Sequence, residues 1–370
     1  MTKMLMPGDP APYFHAEALG GNPRYAFDIA AGRAVLMLFL GSAAWAQAGV
    51  ALATVARHRA LFDDLTANMF GVSIDPADVA EARIAQDLPG IRWFVDSDRA
   101  VSTLYGAMSD DVQGRRQYHP HWVVLDPMLR VVSTHPLADG EAAIAALAAL
   151  AADPGEPPAA PVLVVPRIFE PALCDRLIAY YEERGGVESG FMREENGVTV
   201  LKTDHDHKRR ADCIVEDKTL LDDIRARLTR FLKPQIKRAF QFDATRVERW
   251  LVACYDGEDA GGGGHFRAHR DNTTKGTAHR KFACTINLNA GDYDGGDLRF
   301  PEFGARTYRA PTGGAVIFSC SLLHEATRVT RGKRYAFLPF FYDEDGAKLR
   351  ERNLAFVSPE LASYRAGTGA

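Results

Sequence analysis

Short apolar runs alternate with segments of helical spacing over the first part of the chain. The runs Ala34–Leu40 (AVLMLFL), Met69–Ile74 and His121–Leu125 predict buried strands, and Ala46–Leu61 predicts the helix that follows the first of them. An alanine-rich helix is predicted at Glu141–Ala151 because alanine has the highest helix propensity. Apolar strands separated by helices are typical of a mostly parallel or mixed sheet that helices cover.

A proline-rich stretch at residues 152–161, ADPGEPPAAP, interrupts this pattern. Its four prolines and one glycine can neither continue a helix nor join a central strand, and such stretches are typical linkers. The chain has 370 residues, more than a single hydrophobic core usually supports. We therefore expect a first domain at 1–151, a linker at 152–161 and a second domain at 162–370.

The second part of the chain begins with helices and continues with strands. Helices are predicted at Pro171–Arg184 and Leu220–Leu232, the first with its apolar residues on one face. The predicted strands, separated by glycine-rich turns, are Val247–Tyr255, Lys281–Asn289, Ala315–Cys320 and Arg334–Tyr342. Helices that lead into a run of strands predict a β-sandwich or barrel with helical buttresses.

Composition and charge narrow the class of protein. The hydrophobic fraction of 46% and the charged fraction of 25% are ordinary for a soluble globular protein. A formal charge of -4 gives no reason to expect nucleic acid or an anionic membrane as a partner. No apolar run reaches the roughly 18 residues of a membrane span, and the first ten residues do not resemble a signal peptide. We therefore expect a cytoplasmic protein.

The five cysteines all lie beyond residue 170. Their number is odd, their spacing is wide and no CxxC motif occurs, so neither a disulfide framework nor a zinc cluster is indicated. We predict reduced, mostly buried thiols, because free cysteine is usually an interior residue.

Two histidines and an aspartate form a candidate metal site. His269 and Asp271 belong to a His-x-Asp triplet, and on an extended backbone residues i and i+2 point to the same side. The triplet alone is a weak signal. His324 follows the apolar strand and completes a set of two imidazoles and one carboxylate, the facial triad that holds non-haem Fe(II) with open positions.

A third element, Arg334, follows His324 by ten residues. The intervening Val329–Lys333 predicts a hairpin with Gly332 in its turn. On the predicted strand Arg334 shares a face with apolar residues, where an unpaired charge is costly. A dicarboxylate co-substrate would supply the anionic partner in the bidentate geometry that arginine favours.

These motifs in their order resemble the catalytic core of the prolyl 4-hydroxylase-like superfamily of Fe(II)- and 2-oxoglutarate-dependent oxygenases. The similar segments are HRD at 269–271, HEATRVTRGKRYAFLPFFY from His324, NAGDYDGGDLRFPE at 289–302 and GGAV at 313–316. The resemblance covers about residues 161–345. It implies a double-stranded β-helix (jelly-roll) core. It also implies Fe(II), 2-oxoglutarate and O2, with ascorbate as a candidate reductant and succinate and CO2 as products.

The resemblance assigns His269, Asp271 and His324 to the metal and Arg334 to 2-oxoglutarate. Since Asp271 provides a carboxylate ligand, no ligand position is left for a halide, which favours hydroxylation over halogenation.

Further residues are assigned by the same resemblance. Tyr255, at a predicted strand end before the loop 256–264, and Thr285 and Asn287, on the strand after the triplet, are candidate contacts of 2-oxoglutarate. The family often has a tyrosine in place of Asn287. For Tyr255 the alternative interpretation is a core aromatic residue. Arg209 and Arg210 are candidate substrate contacts, because the corresponding region of the family often forms part of a substrate lid.

Four other histidines lie outside the candidate triad. His205 and His207 in TDHDHKRR could form a second metal site, but no further ligand is evident, and a solvated loop is the favoured interpretation. His265 and His279 are expected to be polar loop residues.

Residues 5–150 resemble the redoxin branch of the thioredoxin fold, near the peroxiredoxins. The opening MPGDPAP at 6–12 is similar to their usual entry, and HWVVLDP at 121–127 to a later core strand, with Pro120 where a cis-proline is expected. The segment in place of their active site reads GSAAWAQA at 41–48, and the domain contains no cysteine. A catalytic cysteine is thus absent, and no thiol redox cycle can run there.

The predicted fold is therefore a thioredoxin-like α/β domain followed by a jelly-roll β domain with helical buttresses. The favoured function is a hydroxylase of a protein or peptide residue or of an amino-acid-like small molecule. The alternative is a thioredoxin-like binding or sensor protein with an idle jelly roll, although an idle site would be expected to lose a ligand. We expect the first domain to serve packing, homodimerisation or docking.

Overall fold

The computed structural model describes residues 4–21, 24–110, 114–153, 155–259 and 261–361. Two compact units are present: Met1–Ala159 with Pro301–Gly304, and Ala160–Phe300 with Ala305–Ala370. Pro154, in the predicted linker, lies outside the described residues. None of the helices in the described part of the chain has the length and apolar character that a membrane crossing requires.

The first unit has a central five-stranded sheet. Its strands are β1 His15–Ala16, β2 Tyr25–Ala26, β3 Ala34–Gly41, β4 Ala67–Ser73, β5 Ile91–Val95, β6 Met108–Asp110, β7 Arg116–Tyr118, β8 His121–Leu125 and β9 Val131–Pro136. Its helices are α1 Ala48–Arg57, α2 Ala77–Ala80, α3 Ala100–Leu104 and α4 Gly140–Ala152. The sheet order is β5-β4-β3-β8-β9, with β3, β4 and β5 parallel and β8 and β9 antiparallel.

Both faces of β3 are buried, which explains its unbroken apolar sequence. Leu36 and Leu38 face α1 and α4, where they pack with Val55 and Leu147. Phe39, on the opposite face, contacts an aromatic cluster whose members are Phe14, Phe27, Phe70, Phe94 and Tyr105. The thioredoxin-like fold predicted for this part is confirmed.

The cis-proline expectation was wrong. In the described residues the cis peptide bond joins Leu88 to Pro89, and the bond before Pro120 is trans. β8 begins immediately after Pro120, so the chain enters this strand in an extended course.

The second unit is rich in strands and begins with helices. Its strands are β10 Leu163–Val165, β11 Val187–Glu188, β12 Phe191–Glu195, β13 Val198–Lys202, β14 Lys208–Arg209, β15 Ala211–Ile214, β16 Arg246–Glu248, β17 Leu251–Asp256, β18 His265–His269, β19 Phe282–Asn287, β20 Asp294–Gly295, β21 Leu298–Arg299, β22 Thr307–Tyr308, β23 Ala315–Ser319, β24 His324–Ala326, β25 Val329–Arg331, β26 Lys333–Phe337 and β27 Phe340–Tyr342. Its helices are α5 Pro171–Arg184, α6 Lys218–Arg227, α7 Lys233–Phe240 and α8 Glu344–Asn353, with a π-helical turn at Leu228–Leu232.

Two antiparallel sheets form the jelly roll. The larger has the order β10-β23-β19-β26-β17-β15-β11, with β27 joined to β19 and β16 joined to β27. The smaller has the order β14-β18-β24-β21-β22. Helices α5 and α6 cover the larger sheet through Leu173, Leu177 and Ile224, which lie in one core with Ile286, Ile317 and Phe337. The jelly roll with helical buttresses is confirmed.

Two predicted strands are interrupted at identifiable residues. The strand predicted at Val247–Tyr255 is divided at Arg249, whose φ of +69° is unfavourable for a residue with a side chain. The strand predicted at Arg334–Tyr342 is divided before β27 at Pro339, which has no N–H to contribute to a ladder.

The predicted hairpin at Val329–Lys333 was also wrong. β25 pairs with β20, whereas β26 pairs with β17 and β19. Gly332 lies between them with a φ of +71°, and a Cβ at this position would lie 2.4 Å from the Asp292 carbonyl oxygen. The glycine therefore redirects the chain from one strand pairing to another, because only glycine fits this conformation and this close approach.

Candidate metal centre

The side chains of His269, Asp271 and His324 converge, with one potential ligand atom from each lying within 4.8 Å of the others. His269 ends β18, Asp271 lies two residues further on, and His324 begins β24, directly opposite His269 in the register. The Nε2 atoms of His269 and His324 lie 3.6 Å and 3.3 Å from the two carboxylate oxygens of Asp271. The sequence predicted this convergence, although Asp271 lies just beyond the strand rather than on it.

Backbone carbonyls orient both imidazole rings. Nδ1 of His269 lies 2.7 Å from the Arg267 carbonyl oxygen, and Nδ1 of His324 lies 3.0 Å from that of Leu322. When each Nδ1–H donates to its carbonyl, the lone pair of Nε2 points toward Asp271. This is the arrangement in which a second hydrogen bond fixes the ring of a metal-ligating histidine.

The charge states of His269 and Asp271 suit a divalent cation. Burial, followed by the charge of His324, lowers the pKa of His269 to about 4. Burial opposes the charged form of Asp271, but His324 and His269 outweigh it and hold its pKa well below the usual range. Neutral imidazole and ionised carboxylate are the forms that bind metal. The donor set of two nitrogens and one oxygen fits Fe(II).

His205 and His207 do not belong to a group that could hold a metal within the described residues. His205 is exposed and pairs with Glu188. The solvated-loop interpretation was wrong for His207, which is half-buried, with its ring centre 4.4 Å from that of Phe191 and 5.4 Å from that of Phe266. The reason is that the strand β14 begins directly after it and pairs with β18.

A buried polar network supports the backbone of Asp271. Arg280 donates from Nη1 to the Asp271 carbonyl oxygen at 3.3 Å and from Nη2 to Glu248 at 2.6 Å. The other carboxylate oxygen of Glu248 lies 2.6 Å from Nε2 of His279. His279 and His265 are both buried. The expectation of a polar loop residue was wrong for His265, which begins β18, whereas His279 lies in a turn as expected. Each has found hydrogen-bond partners in the interior, His265 at the carbonyls of Gly263 and Asp206.

A cavity of about 60 Å³, lined by apolar and charged side chains, adjoins the three converging side chains. The ring of Phe266 is stacked on His269 with centres 3.5 Å apart, and Phe318 lies 4.6 Å from His324. Other apolar residues of the lining are Leu298, Ala326, Leu338 and Phe340. Such surroundings exclude water and strengthen electrostatic interactions inside the cavity.

Arg334 projects into this cavity from the larger sheet. The residue is 2% exposed, and its Nε and Nη1 atoms are buried without a hydrogen-bond partner in the described residues. Its Cζ atom lies 4.8 Å from the centre of the Tyr255 ring. A buried guanidinium with unused donors is costly unless an anion completes it. This arrangement fits one carboxylate of 2-oxoglutarate.

The other residues assigned to 2-oxoglutarate divide into two groups. Tyr255 and Thr285 line the cavity. Asn287 does not line it, and its side-chain amide donates to the Ala310 carbonyl oxygen at 2.7 Å. Asn287 is the last residue of β19, and its side chain is engaged with the chain before β23.

Arg209 ends β14 and Arg210 lies between β14 and β15, and the two side chains have different surroundings. Arg210 lines the cavity and is held by Asp212, with Nη2 2.6 Å from a carboxylate oxygen. Burial disfavours the charge of Arg210, but Asp212 outweighs it and raises the pKa of the guanidinium. Arg209 does not line the cavity and lies 3.4 Å from Asp259 in a groove of about 480 Å³, which Arg210 also lines. The structure therefore brings Arg210 to the triad and leaves Arg209 away from it.

Sequence reasoning missed Arg249, which also lines the cavity. The available signal was the pair of charged residues Glu248 and Arg249 inside a run that otherwise predicts a buried strand. Charges at such positions require partners in the interior. Glu248 has partners in His279 and Arg280, and Arg249 faces the cavity.

Comparisons with known proteins agree with the division of the chain into two kinds of fold. The model of the 2OG-Fe(II) oxygenase superfamily matches residues 250–342, and that of the AhpC/TSA family matches residues 7–133. The resemblance of each part to its family is confirmed.

One curated relative is a PKHD-type hydroxylase from a Synechococcus strain. It is 33% identical over 92 residues, which are 23% of this chain. The matched region spans only 39% of the length of that relative.

Among solved structures, one similar chain is a prolyl hydroxylase from Trichoplax adhaerens in complex with a hypoxia inducible factor peptide fragment. It has a TM-score of 0.37 and 15% identity, over 51% of this chain and 86% of that chain. Another is Peroxidoxin BcpB from Mycobacterium tuberculosis, with a TM-score of 0.33 and 18% identity, over 40% of this chain and 98% of that chain.

Proposed function

We propose that the protein is an Fe(II)- and 2-oxoglutarate-dependent dioxygenase that hydroxylates a protein or peptide residue or an amino-acid-like small molecule. The observation that carries this proposal is the shared cavity, in which the converging His269, Asp271 and His324 face a buried Arg334 whose Nε and Nη1 atoms have no hydrogen-bond partner in the described residues. A metal site alone would permit many functions. A metal site opposite an unpaired guanidinium favours a substrate that chelates the metal and carries a distant carboxylate.

The three ligands hold their assigned metal in a defined manner. His269 and His324 present Nε2 because their Nδ1 atoms are fixed by backbone carbonyls, and Asp271 presents its carboxylate between them. A metal held by these three residues would keep coordination positions for the 2-oxo acid and O2. Bound Fe(II) would supply the O2 chemistry that converts 2-oxoglutarate to succinate and CO2 and hydroxylates a C–H bond.

Arg334 and Tyr255 bind and orient the far carboxylate of 2-oxoglutarate. The guanidinium of Arg334, whose Nε and Nη1 atoms have no hydrogen-bond partner in the described residues, can donate charge-assisted hydrogen bonds to it, and the Tyr255 ring stabilises the guanidinium from its face. Thr285, on the cavity wall, offers a hydroxyl to the same ligand. We assign no such role to Asn287, whose amide is engaged elsewhere.

The first unit has a different role in this proposal. We assign 1–151 to a degenerate redoxin domain, 152–161 to a linker and 162–370 to the oxygenase. Because residues before 170 contain no cysteine, the first domain has no thiol for peroxide reduction. Its role is docking, packing or homodimerisation. The location of the protein in the cytoplasm and the use of ascorbate are part of the same proposal.

The experiment is the conversion of 2-oxoglutarate to succinate by the full-length protein with Fe(II) and ascorbate under air. We expect succinate to form, with a higher rate when a substrate is present. A matched sample under nitrogen and another with Zn(II) in place of Fe(II) should be inactive. Absence of succinate, in a preparation with one iron bound per chain, would reject the enzyme and favour the idle sensor protein.

A further inference from the structure

Arg249 occupies a strained position next to the candidate active site. It lies between β16 and β17 with a φ of +69°, in the left-handed region that residues with a side chain rarely adopt. The strands on its two sides have different partners, since β16 pairs with β27 and β17 pairs with β15 and β26. Strained backbone persists where the surrounding structure enforces it, and it is concentrated at functional sites.

The guanidinium of Arg249 has no hydrogen-bond partner in the described residues, although its side chain is only 22% exposed. The nearest carboxylate, that of Glu248, lies 3.9 Å from its Nε atom and is already bonded to Arg280 and His279. The Cζ atom instead lies 5.3 Å from the centre of the Phe340 ring, another residue of the cavity lining.

The contrast with Arg210 is that Arg249 has no carboxylate of its own and shares that of Glu248 at 3.9 Å. Asp212 raises the pKa of Arg210 against the effect of burial. Burial, followed by the charge of Arg280, lowers the pKa of Arg249, and Glu248 offsets this only in part. Two arginines on the wall of one cavity thus differ, and only the first has its own carboxylate.

When the charges at the site with Fe(II) and 2-oxoglutarate bound are added up, the charge of Arg249 is not balanced. The two positive charges of Fe(II), together with Arg334 and Asp271, balance the two carboxylates of 2-oxoglutarate. Arg280 is balanced by Glu248, and Arg210 by Asp212. Arg249 is therefore a positive charge on the cavity wall whose nearest carboxylate, that of Glu248, is already paired with Arg280, and the co-substrate does not neutralise it.

We propose that Arg249 receives a carboxylate group of the primary substrate, so that the substrate is a carboxylic acid. The acid is either an amino-acid-like small molecule or a peptide with a carboxylate near the hydroxylated carbon. This inference rests on the proposed function and narrows its substrate class. The planar guanidinium suits a carboxylate in bidentate geometry, and the apolar lining around it accepts the hydrocarbon part of the acid.

The test is equilibrium binding to the full-length protein loaded with Zn(II) and saturating 2-oxoglutarate, so that no turnover occurs. The small-molecule probes are the free L-amino acids and their α-carboxamides. The peptide probes are pairs that differ only by aspartate or asparagine, or by glutamate or glutamine. Retention of 2-oxoglutarate is measured in the same samples, because an acid that displaces it would report on Arg334.

We expect at least one acid to bind about 10-fold or more tightly than its amide, the ratio typical of a hydrogen-bonded charge pair. Whether the preferred acid is a free amino acid or an acidic peptide identifies the type of substrate. In Arg249→Gln the preference for the acid should disappear, whereas Arg249→Lys should retain part of it. Arg246→Gln is the matched control, since Arg246 lies three residues earlier and pairs with Glu344 outside the cavity.

The inference is overturned if no acid binds, if acids and amides bind equally, or if Arg249→Gln keeps the preference of the wild type. The comparison of acid with amide uses the wild type, so it stands even if a variant fails to fold. Failure of the proposed function is a separate outcome, namely no succinate from 2-oxoglutarate in the iron-loaded wild type. Succinate formation without a preference for acids rejects only the role of Arg249.

Discussion

Arg334 and Tyr255 lie directly opposite each other on β26 and β17, with the guanidinium carbon 4.8 Å from the centre of the phenol ring. This pairing places a cation on an aromatic face at the wall of the cavity that adjoins His269, Asp271 and His324. It leaves Nε and Nη1 of the arginine without hydrogen bonds in the described residues.

Replacing Arg334 should weaken the binding of 2-oxoglutarate without lowering the stability of the protein. In Arg334→Met we expect the KM for 2-oxoglutarate to rise by about 10-fold or more, the loss of a charged hydrogen-bonded pair. The melting temperature of the metal-free protein should stay the same or rise, because a buried unpaired charge is removed. Steady-state kinetics and thermal unfolding measure the two effects. Arg331→Met, which removes an exposed arginine paired with Asp294, should change neither. A lower melting temperature in Arg334→Met would mean that the guanidinium is structural.

The ring of Tyr255 should matter more than its hydroxyl. The hydroxyl makes one long hydrogen bond, 3.4 Å from Nη1 of Arg210. The ring, by contrast, makes the cation–π contact with the guanidinium of Arg334. We expect Tyr255→Phe to change the KM for 2-oxoglutarate by less than about 3-fold. Tyr255→Leu should raise it by about 3- to 30-fold, the range of cation–π energies from exposed to desolvated sites. Equal effects of the two substitutions would assign the contribution to the hydroxyl.

Removing the carboxylate of Asp271 should abolish metal binding. In Asp271→Ala only two imidazoles remain, and we expect iron content and succinate formation to fall to background. Metal analysis after dialysis and the succinate assay provide the measurements. Asp294→Ala removes an exposed carboxylate and should retain both properties. Turnover at the wild-type rate in Asp271→Ala would show that the triad has been misassigned.

Glu248 should stabilise the support of the metal centre. Arg280 and His279 share its carboxylate, so in Glu248→Gln the buried charge of Arg280 loses its partner. Breaking a buried pair costs about 3–5 kcal/mol, and the free energy of unfolding in urea should fall by that amount. Glu344→Gln, which breaks the exposed pair with Arg246, should cost no more than about 1 kcal/mol. A cost for Glu248→Gln as small as that control would show that the network contributes little.

The same network predicts a loss of stability in acid. Burial disfavours the charge of Glu248, but Arg280 and His279 outweigh it and hold its pKa well below the ordinary glutamate value of about 4.3. The stabilisation is therefore complete above that value and is lost progressively as the pH falls below it. Urea unfolding of the wild type and Glu248→Gln at pH 7 and at lower pH should show their difference shrinking in acid. A constant difference would contradict the assignment.

The cysteines should be inert in the folded protein. All five are buried, and burial raises the pKa of Cys174 and of Cys254 to about 11. We expect a thiol reagent at neutral pH to modify none of them until the protein is unfolded, and then all five. Hydrogen peroxide should not be consumed with a thiol reductant. Peroxide reduction at a substantial rate would require a reactive thiol that the buried cysteines do not provide.

Much of the candidate site could be predicted because its chemistry is local in sequence. The triplet containing His269 and Asp271, the strand before His324 and the spacing to Arg334 each left a readable pattern. Tyr255 and Thr285 lie in two segments that their apolar residues predicted to be strands. For Asn287 the pattern predicted a position on the strand, but it could not reveal that the Ala310 carbonyl would engage its amide.

The remaining features depend on long-range packing. The division of a predicted strand at Arg249 arises because its two halves pair with different strands, which no local preference encodes. The hairpin of β12 and β13, by contrast, has an Asn196-Gly197 turn with both φ angles positive, a signal that was present but not used. The burial of His279 follows from its partner Glu248, 31 residues earlier in the chain.

The two sheets of the jelly roll supply different ends of the proposed co-substrate site. His269 and His324 lie on strands of the smaller sheet, and Arg334 lies on a strand of the larger one. Facing sheets are separated by about 10 Å, and this separation fixes the span between iron and guanidinium. The protein should therefore select 2-oxo dicarboxylic acids by the length of their carbon chain. Oxaloacetate, one carbon shorter than 2-oxoglutarate, and 2-oxoadipate, one carbon longer, could each reach the metal or the arginine but not both without strain.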